Sequence, residues 1–202
     1  MPTEKIKRTY RKARYVVYKE TLVDFREHFW AFLGSFMGLG TIAFIEYRAM
    51  PEQDFIFLIG SFGASCVLVY GVIQSPLAQP RNLIGGHVIS AFIGVTVQKL
   101  LPDVTWLAAP LAVSLSIIAM QITKTLHPPG GATALIAVTA SPQIKAMGYW
   151  YVLTPVLTGA SILLAAALIF NNLTKNRQYP SDYTVNKLKR FGKRFKKKPR
   201  IS

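Results

Sequence analysis

The sequence predicts an all-α protein, a polytopic transmembrane helical bundle with about six membrane segments. Three observations predict this fold class: long apolar runs nearly free of charge, basic residues gathered at both ends, and one short apolar segment behind two prolines. Hydrophobic residues make up 51% of the 202 residues. Because they are gathered in runs close to the ~20 residues that a membrane-crossing helix needs, they indicate membrane spans and not a soluble core.

Six apolar runs follow one another along the chain. They are Phe29–Tyr47, Phe55–Ile73, Leu83–Leu101, Val104–Ile122, Pro128–Ala140 and Tyr149–Phe170. A long charged stretch precedes the first run, so we expect that run to be an uncleaved anchor and not a signal peptide. The fifth run is much shorter than a full span and is predicted to be a half-length helix.

Charge divides the chain into three predicted domains. Residues 1–28 carry a net charge of +4, residues 29–174 only +1 and residues 175–202 +10, within a total of +15. We predict a basic N-terminal interfacial segment, a transmembrane domain and a basic cytoplasmic tail in these three ranges. Anionic lipids are the expected partners of both basic ends, and nucleic acid is not expected.

The basic ends also predict the topology. Lys and Arg are retained in the cytoplasm, so both termini are expected there, in an inner or plasma membrane, and the number of crossings is even. Six runs satisfy this condition if residues 128–140 cross the membrane. If residues 128–140 dip in and return instead, five crossings place one basic tail outside, which the rule disfavours.

The segment Leu126–Ser141 (LHPPGGATALIAVTAS) is the most informative part of the chain. Pro128 and Pro129 suit the first turn of a helix, and the two glycines that follow permit close approach of a backbone or ligand. A half-length helix among full spans presents its N-terminus inside the membrane, where it can bind anions. The alternative is a kinked helix end that only packs tightly, since Gly and Pro are common in membrane helices.

A second loop resembles this segment. A shift of 48 residues aligns Pro80 with Pro128 and Gln79 with His127, and paired glycines follow in both places. The identity is thin, so coincidence stays open. A true repeat predicts two helix pairs of the same orientation, related by an axis along the membrane normal. The helices beginning near Leu83 and Gly130 then point their positive ends the same way.

Polar and basic residues around these two helix starts are the candidate anion-binding groups. They are Arg81, Asn82, His87, Lys124, His127, Gly130, Gly131 and Thr133. Arg can hold an oxyanion at two points, and imidazoles donate hydrogen bonds and titrate near neutral pH. The structural alternatives are loop charges for Arg81 and Lys124 and helix capping for His127. His87 lies within a helix, where a polar group needs a partner.

Enzyme chemistry is not expected, and neither is a metal or a cofactor. The sequence has no nucleophile beside a base and no metal-ligand spacing, and two histidines alone make a poor metal site. The single cysteine, Cys66, excludes a disulfide framework and is expected to pack. Glu46 is the one acid inside an apolar run. Three roles stay open for its side chain: to gate protons, to pair with Arg48, or to reach outward to the membrane surface.

Taken together, these motifs resemble the HPP family of integral membrane proteins. The resemblance includes the His127–Gly131 motif (HPPGG), the 62–65 stretch (FGAS), the 75–87 loop and Asn171-Asn172-Leu173, and covers about residues 30–174. It implies a compact helical membrane domain. Members from photosynthetic organisms and plastids are implicated in nitrite transport.

We therefore expect a transporter or channel-like permease for a small inorganic anion, with nitrite as the leading candidate. Arg81, His87 and the helix start at 130–133 are expected to bind the anion, and a histidine to carry a coupled proton. The alternative is a non-transporting structural or lipid-binding membrane protein. A domain with so few helices is also expected to form a homo-oligomer.

Overall fold

A computed structural model describes residues 25–49, 59–174 and 177–181. Over these residues the chain is helical and contains no strand, which confirms the predicted class. The seven α-helices of this part are α1 (Phe25–Ala49), α2 (Gly60–Cys66), α3 (Pro80–Leu100), α4 (Thr105–Thr123), α5 (Pro128–Thr139), α6 (Pro142–Ala146) and α7 (Thr158–Phe170). A π-helical turn, Val67–Gly71, continues α2, and another, Val152–Leu157, leads into α7. Most of the predicted interfacial segment 1–28 and tail 175–202 lies outside the described residues.

Four helical stretches are long and apolar enough to cross a membrane. They are Phe25–Arg48, Pro80–Leu100, Thr105–Thr123 and Val152–Phe170. The apolar helix Gly60–Gly71 is shorter. Helix α5 has 12 residues, the predicted half length. At 1.5 Å per residue it is about 18 Å long, against a hydrocarbon core of ~30 Å. The six-crossing count therefore stays a prediction.

Prolines begin both helices that the sequence comparison aligned. Helix α3 begins at Pro80, three residues before the predicted apolar run, and α5 begins at Pro128. Proline fits the first turn because the amide it lacks has no helical partner there. The preceding residues, Gln79 and His127, are both extended. The helices differ in length, 21 against 12 residues, and the repeat stays a hypothesis.

The helices pack as two groups, which are joined by α2 and also by α3, through its contacts with α7 and with the turn Val152–Leu157. Helices α3, α4 and α5 contact one another, α1 packs on α7, and α2 touches α1, α5 and α7. Tyr70, in the π-helical turn after α2, is buried between α1 and α7 and donates a hydrogen bond to Leu163 O at 2.9 Å. Helices α1 and α4 leave large apolar side chains exposed, among them Phe36 and Ile118, as expected of lipid-facing surfaces.

Several chain ends meet at one end of the bundle, which we name the proline end because α3 and α5 begin there. Arg177 forms a salt bridge of 2.9 Å with Glu27, at the start of α1. Tyr179 donates a hydrogen bond to Ala78 O, in the loop before α3, at 2.7 Å. The described ends of the chain thus share a side with the loop before α3, as an even number of crossings requires. Orientation toward the cytoplasm remains a prediction.

Arg177 is buried in the fold, although the sequence assigned it to the lipid-binding tail. Its guanidinium donates hydrogen bonds to Tyr70 O and Asn171 Oδ1, both at 2.8 Å, besides its pair with Glu27. Only 4% of the residue is exposed. A guanidinium with this many acceptors joins the start of α1, the turn after α2 and the end of α7.

Candidate functional site

The candidate site lies where α2, α3 and α5 meet, and glycines make this contact close. A Cβ on Gly86 would lie 2.4 Å from His127 Cβ, and one on Gly130 would lie 2.9 Å from Gly86 O. Neither distance leaves room for a methyl group. The start of α5 is therefore pressed against the second turn of α3, which places the His127 ring beside the His87 ring.

His87 is fully buried and hydrogen-bonded on both ring nitrogens. Its Nε2 lies 2.7 Å from Ser65 Oγ on α2, and its Nδ1 lies 2.7 Å from Thr133 Oγ1 on α5. The ring packs edge-on against Phe62, with 5.3 Å between centroids. A polar group at this depth was predicted to need partners, and side chains of α2 and α5 supply them.

His127 is also fully buried, and it shares Ser65 with His87. Its Nε2 lies 3.0 Å from Ser65 Oγ, and the two imidazole centroids are 5.0 Å apart. Its Nδ1 lies 2.8 Å from Leu77 O in the loop before α3. The ring does not form a side-chain cap on α5, so the predicted capping alternative is wrong. Instead it links the two loops of the proline end.

Thr133 extends the network toward the start of α2. Its Oγ1 lies 2.9 Å from Ser61 Oγ, and Tyr151 donates a hydrogen bond to Thr133 O at 3.2 Å. All these side chains are buried. We refer to Ser61, Ser65, His87, His127 and Thr133 as the histidine cluster.

Burial in an apolar setting favours the neutral form of His127. His127 lies in the loop ahead of α5, outside the membrane-spanning helices, and desolvation lowers the pKa of its imidazole to about 4, although the hydrogen bond to Leu77 opposes this shift. Charging this ring requires a rearrangement that brings in water or an anion.

The two predicted cations do not reach the cluster. Arg81 is exposed, and its guanidinium donates a hydrogen bond to Thr123 O at the end of α4. Lys124 is exposed and ends α4 in a left-handed conformation, with φ of 58°. Asn82 donates to Leu126 O at 2.7 Å, so it fastens α3 to the loop before α5. All three lie at the proline end, around the start of α3 and the end of α4, and not among the buried groups.

The predicted glycine pair has two different surroundings. Gly130 is buried, and its amide donates to His127 O at 2.8 Å. Gly131 is partly exposed, and a Cβ there would meet only Val113, at 3.8 Å. Gly130 is therefore tightly packed, as in the alternative interpretation of this segment as a packed helix end.

Sequence reasoning missed Ser61, Ser65 and Arg177. The two serines are four residues apart, so one face of α2 carries both, and this spacing was the available signal. No local pattern marked Arg177, because its partners Tyr70 and Glu27 are far away in the chain. Glu46 is buried, so the predicted outward reach of its side chain is wrong. Within the described residues, no three His, Cys, Asp or Glu side chains gather as metal ligands.

Comparison with known proteins agrees with this architecture. Residues 20–180 match the family described as HPP, transmembrane region. The chain belongs to the HPP family. Two transmembrane proteins of Dictyostelium discoideum are 46% and 47% identical to this HPP protein over 160 residues, which is 78% of the chain. The chain spans about half the length of these curated relatives, 51% and 56%. No solved structure matches it.

Membership confirms the resemblance drawn from the HPPGG motif. It also establishes that this HPP protein is an integral membrane protein in contact with the lipid bilayer. His127, which opens the motif, is one of the two buried imidazoles, and Pro128 starts α5. The motif thus positions a helix start against α3, and the histidine cluster depends on that placement.

Proposed function

We propose that this HPP protein is a membrane transporter or channel-like permease for a small inorganic anion, with nitrite as the first candidate. The observation that carries the proposal is the histidine cluster: a buried set of hydrogen-bonded imidazole and hydroxyl groups between three helices of a membrane domain. Polar groups at such depth in a membrane are costly and commonly mark a substrate path.

The chemistry of the cluster favours a small anion over a cation. Hydroxyl and imidazole groups can each donate a hydrogen bond, and the cluster, as defined, contains no carboxylate. The start of α5 adds about half a positive charge beside it. Arg81 and Lys124, exposed at the proline end, raise the local concentration of anions there. We therefore assign them to the mouth of the path, with Asn82 beside them.

The described state is closed, because the polar atoms of the cluster bond to one another. His87 Nε2 lies 2.7 Å from Ser65 Oγ, and His87 Nδ1 lies 2.7 Å from Thr133 Oγ1. An anion that binds there must replace these hydrogen bonds. We propose that His87, His127, Thr133 and the amides near Gly130 and Gly131 exchange partners for the anion when α2 moves. The π-helical turn Val67–Gly71 is the proposed site of that motion, since such turns commonly mark functional sites.

Uptake of nitrite into liposomes containing the purified full chain tests the proposal. Thr133→Val removes a hydroxyl from the cluster and should lower uptake about tenfold or more, since a lost hydrogen bond to a charged group costs about 1.5–3 kcal/mol. Thr139→Val is the matched control, because Thr139 is exposed on the same helix and its hydroxyl donates to Leu135 O within that helix. Nitrate, formate and chloride serve as competitors for the substrate class.

Absence of uptake for every anion, under any gradient, would refute transport. The alternative, a structural or lipid-binding membrane protein, would then stand. Equal uptake by Thr133→Val and Thr139→Val would keep transport but remove the cluster from it.

A further inference from the structure

An apolar groove runs along the outer side of α3 and α4. Exposed side chains of α4 form one wall, and residues of α3 from Phe92 onward form the other; the lining includes Leu111, Leu115, Ile118 and Ile122 of α4 and Phe92 and Val97 of α3. The surface of the groove is apolar throughout, because Thr96, which bears a hydroxyl, turns its Oγ1 to Phe92 O at 2.8 Å. Such a surface suits a hydrocarbon chain.

The groove has the length of one membrane leaflet. Leu111 and Ile122, the first and last lining residues of α4, are 11 residues apart, about 16 Å at 1.5 Å per residue. Half of a hydrocarbon core of ~30 Å is about 15 Å. Because Ile122 lies next to the last residue of α4, the groove reaches the proline end. An acyl chain of the leaflet at this end can therefore lie along α4 over its whole depth.

Two cations meet at the end of the groove that Ile122 forms. Arg81, at the start of α3, donates a hydrogen bond to the carbonyl oxygen of Thr123, and Lys124 is the next residue of the chain. Both basic residues are exposed. The bond to Thr123 holds the guanidinium against the end of α4 and uses one of its five N–H donors.

Neither cation pairs with a carboxylate of the described residues. Glu27 pairs with Arg177, and the other described acids, Glu46 and Asp103, lie at the opposite end of the bundle, near the ends of α1 and α3. Two like charges that are held together in this way favour a negative partner. The fork of an arginine fits the oxygens of a phosphate in particular.

The backbone of Lys124 supports a role for its side chain. Lys124 ends α4 in a left-handed conformation, with φ of 58°, and glycine or asparagine is the usual residue in this conformation after a helix. A residue with a Cβ adopts it less easily than glycine does. The chain thus has an exposed cation beside the groove at a position where glycine would be the easier choice.

We propose that the groove and the two cations bind one anionic phospholipid of the leaflet at the proline end. Its phosphate lies between Arg81 and Lys124, and one acyl chain lies in the groove between α3 and α4. A zwitterionic lipid brings a positive group of its own to these cations, so it should bind less well. The lipid shares the two cations assigned above to the mouth of the path, but its binding does not depend on nitrite transport.

A second copy of the chain is a less suitable occupant of the groove. A symmetric interface brings the same surface of both copies together. Here it would gather Arg81 and Lys124 of both copies, four positive charges, at one end of the interface. The described carboxylate at that end, Glu27, already pairs with Arg177.

Photolabelling of the full chain in phosphatidylcholine liposomes tests the site. A trace of probe lipid, either phosphatidylglycerol or phosphatidylcholine, carries a diazirine on one acyl chain. Mass spectrometry of peptides gives the labelling of Leu115 and Ile118 relative to Phe36, which is exposed on α1. Each basic residue near the surface should contribute about a factor of five, so this ratio should be about 20- to 30-fold higher for the phosphatidylglycerol probe.

Paired variants locate the head group. Arg81→Gln combined with Lys124→Gln should lower the ratio for the phosphatidylglycerol probe to that of the phosphatidylcholine probe. Lys99→Gln combined with Lys145→Gln is the matched control, because it removes the same charge near the ends of α3 and α6, away from the proline end. The control should keep the wild-type ratio.

A substitution inside the groove tests the acyl chain. Ala119→Leu narrows the groove and should lower the ratio severalfold. Ala43→Leu is the matched control, because Ala43 is partly exposed on α1, and it should leave the ratio unchanged. Unlabelled phosphatidylglycerol should compete with the probe, whereas glycerol phosphate in solution, which has no acyl chain, should not.

Four results would overturn the proposal. They are equal ratios for the two probes in the wild type, a wild-type ratio in the variant that lacks both cations, a wild-type ratio in Ala119→Leu, and competition by glycerol phosphate as strong as that by the lipid. A groove that neither probe labels would show a different occupant, such as a second copy, and would overturn it too. No arm of the experiment uses nitrite, so the proposed function is tested separately.

Discussion

Replacing Gly86 with alanine should separate α3 from the start of α5. The new Cβ would lie 2.4 Å from His127 Cβ and 3.0 Å from Thr125 O. Carbon atoms in ordinary contact are about 3.5–4.0 Å apart, so the two segments must move apart by about 1 Å or more. His127 leads into α5, and the shift therefore also stretches its bonds to Ser65 and Leu77.

The expected cost is that of overpacking, about 1–3 kcal/mol. For a domain of this size that corresponds to a fall in melting temperature of about 2–12 °C. Gly63→Ala is the matched control, because a Cβ there meets no atom of the described residues within 4 Å. In the interior of a helix such a change gains about 0.5–1 kcal/mol.

Thermal unfolding of both variants, purified in the same detergent, measures the difference, and nitrite uptake measures the effect on the site. We expect Gly86→Ala to melt below the wild type and Gly63→Ala at or slightly above it. Equal melting temperatures and equal uptake for the two variants would refute the inference that close packing of α3 on α5 positions the histidine cluster.

Three further predictions concern the proline end. Arg177→Ala should destabilise the protein by about 1–3 kcal/mol for each buried acceptor left unpaired, which are Tyr70 O and Asn171 Oδ1. Thermal unfolding beside Arg177→Lys, which keeps the charge, measures this loss, and an unchanged melting temperature would contradict the role of Arg177 in joining these elements. Glu27 and Arg177 meet at one end of the bundle, and the basic ends predict that this end faces the cytoplasm. Tags on both termini should therefore be shielded from outside in intact cells, and an accessible tag would overturn the predicted orientation. Folding lowers the pKa of His127 from an ordinary 6.5 to about 4, so protons favour the unfolded state. The contribution of this group to stability is full above about pH 6.5 and is lost as the pH falls toward 4. Unfolding between pH 4 and 8 should show this dependence, and His127→Gln should reduce it.

The order of helices could be predicted because it depends on local properties. An apolar run of about the right length must satisfy its own backbone in a membrane, so the long spans follow from the residues within them. The half-length α5 was predicted in the same way, from Pro128 at its start and the short apolar run behind it. Helix α3 begins at Pro80, three residues before the predicted apolar run. The φ angle of proline suits a helix start, but hydropathy alone did not include Pro80 in the run.

The candidate site could be predicted only in part. His87, His127 and Thr133 were predicted as site residues, and they do come together. They meet because α3 and α5 begin at the same end of the bundle. Arg81 and Lys124 were grouped with them by charge, but both are exposed, Arg81 at the start of α3 and Lys124 at the end of α4. Charge shows which side of a membrane a loop prefers, and it does not show whether a side chain points into the protein.

By itself, the sequence determined that this is a helical membrane protein of the HPP family, with basic ends and a short helix behind its HPPGG motif. Those properties depend on neighbouring residues, whose apolar length and backbone restrictions act locally. Only the tertiary structure decided which buried polar groups satisfy one another. Ser65 bonds to histidines 22 and 62 residues away, and Arg177 pairs with Glu27 across 150 residues. Such partners are brought together by the packing of separate helices around glycine, and no spacing along the chain records them.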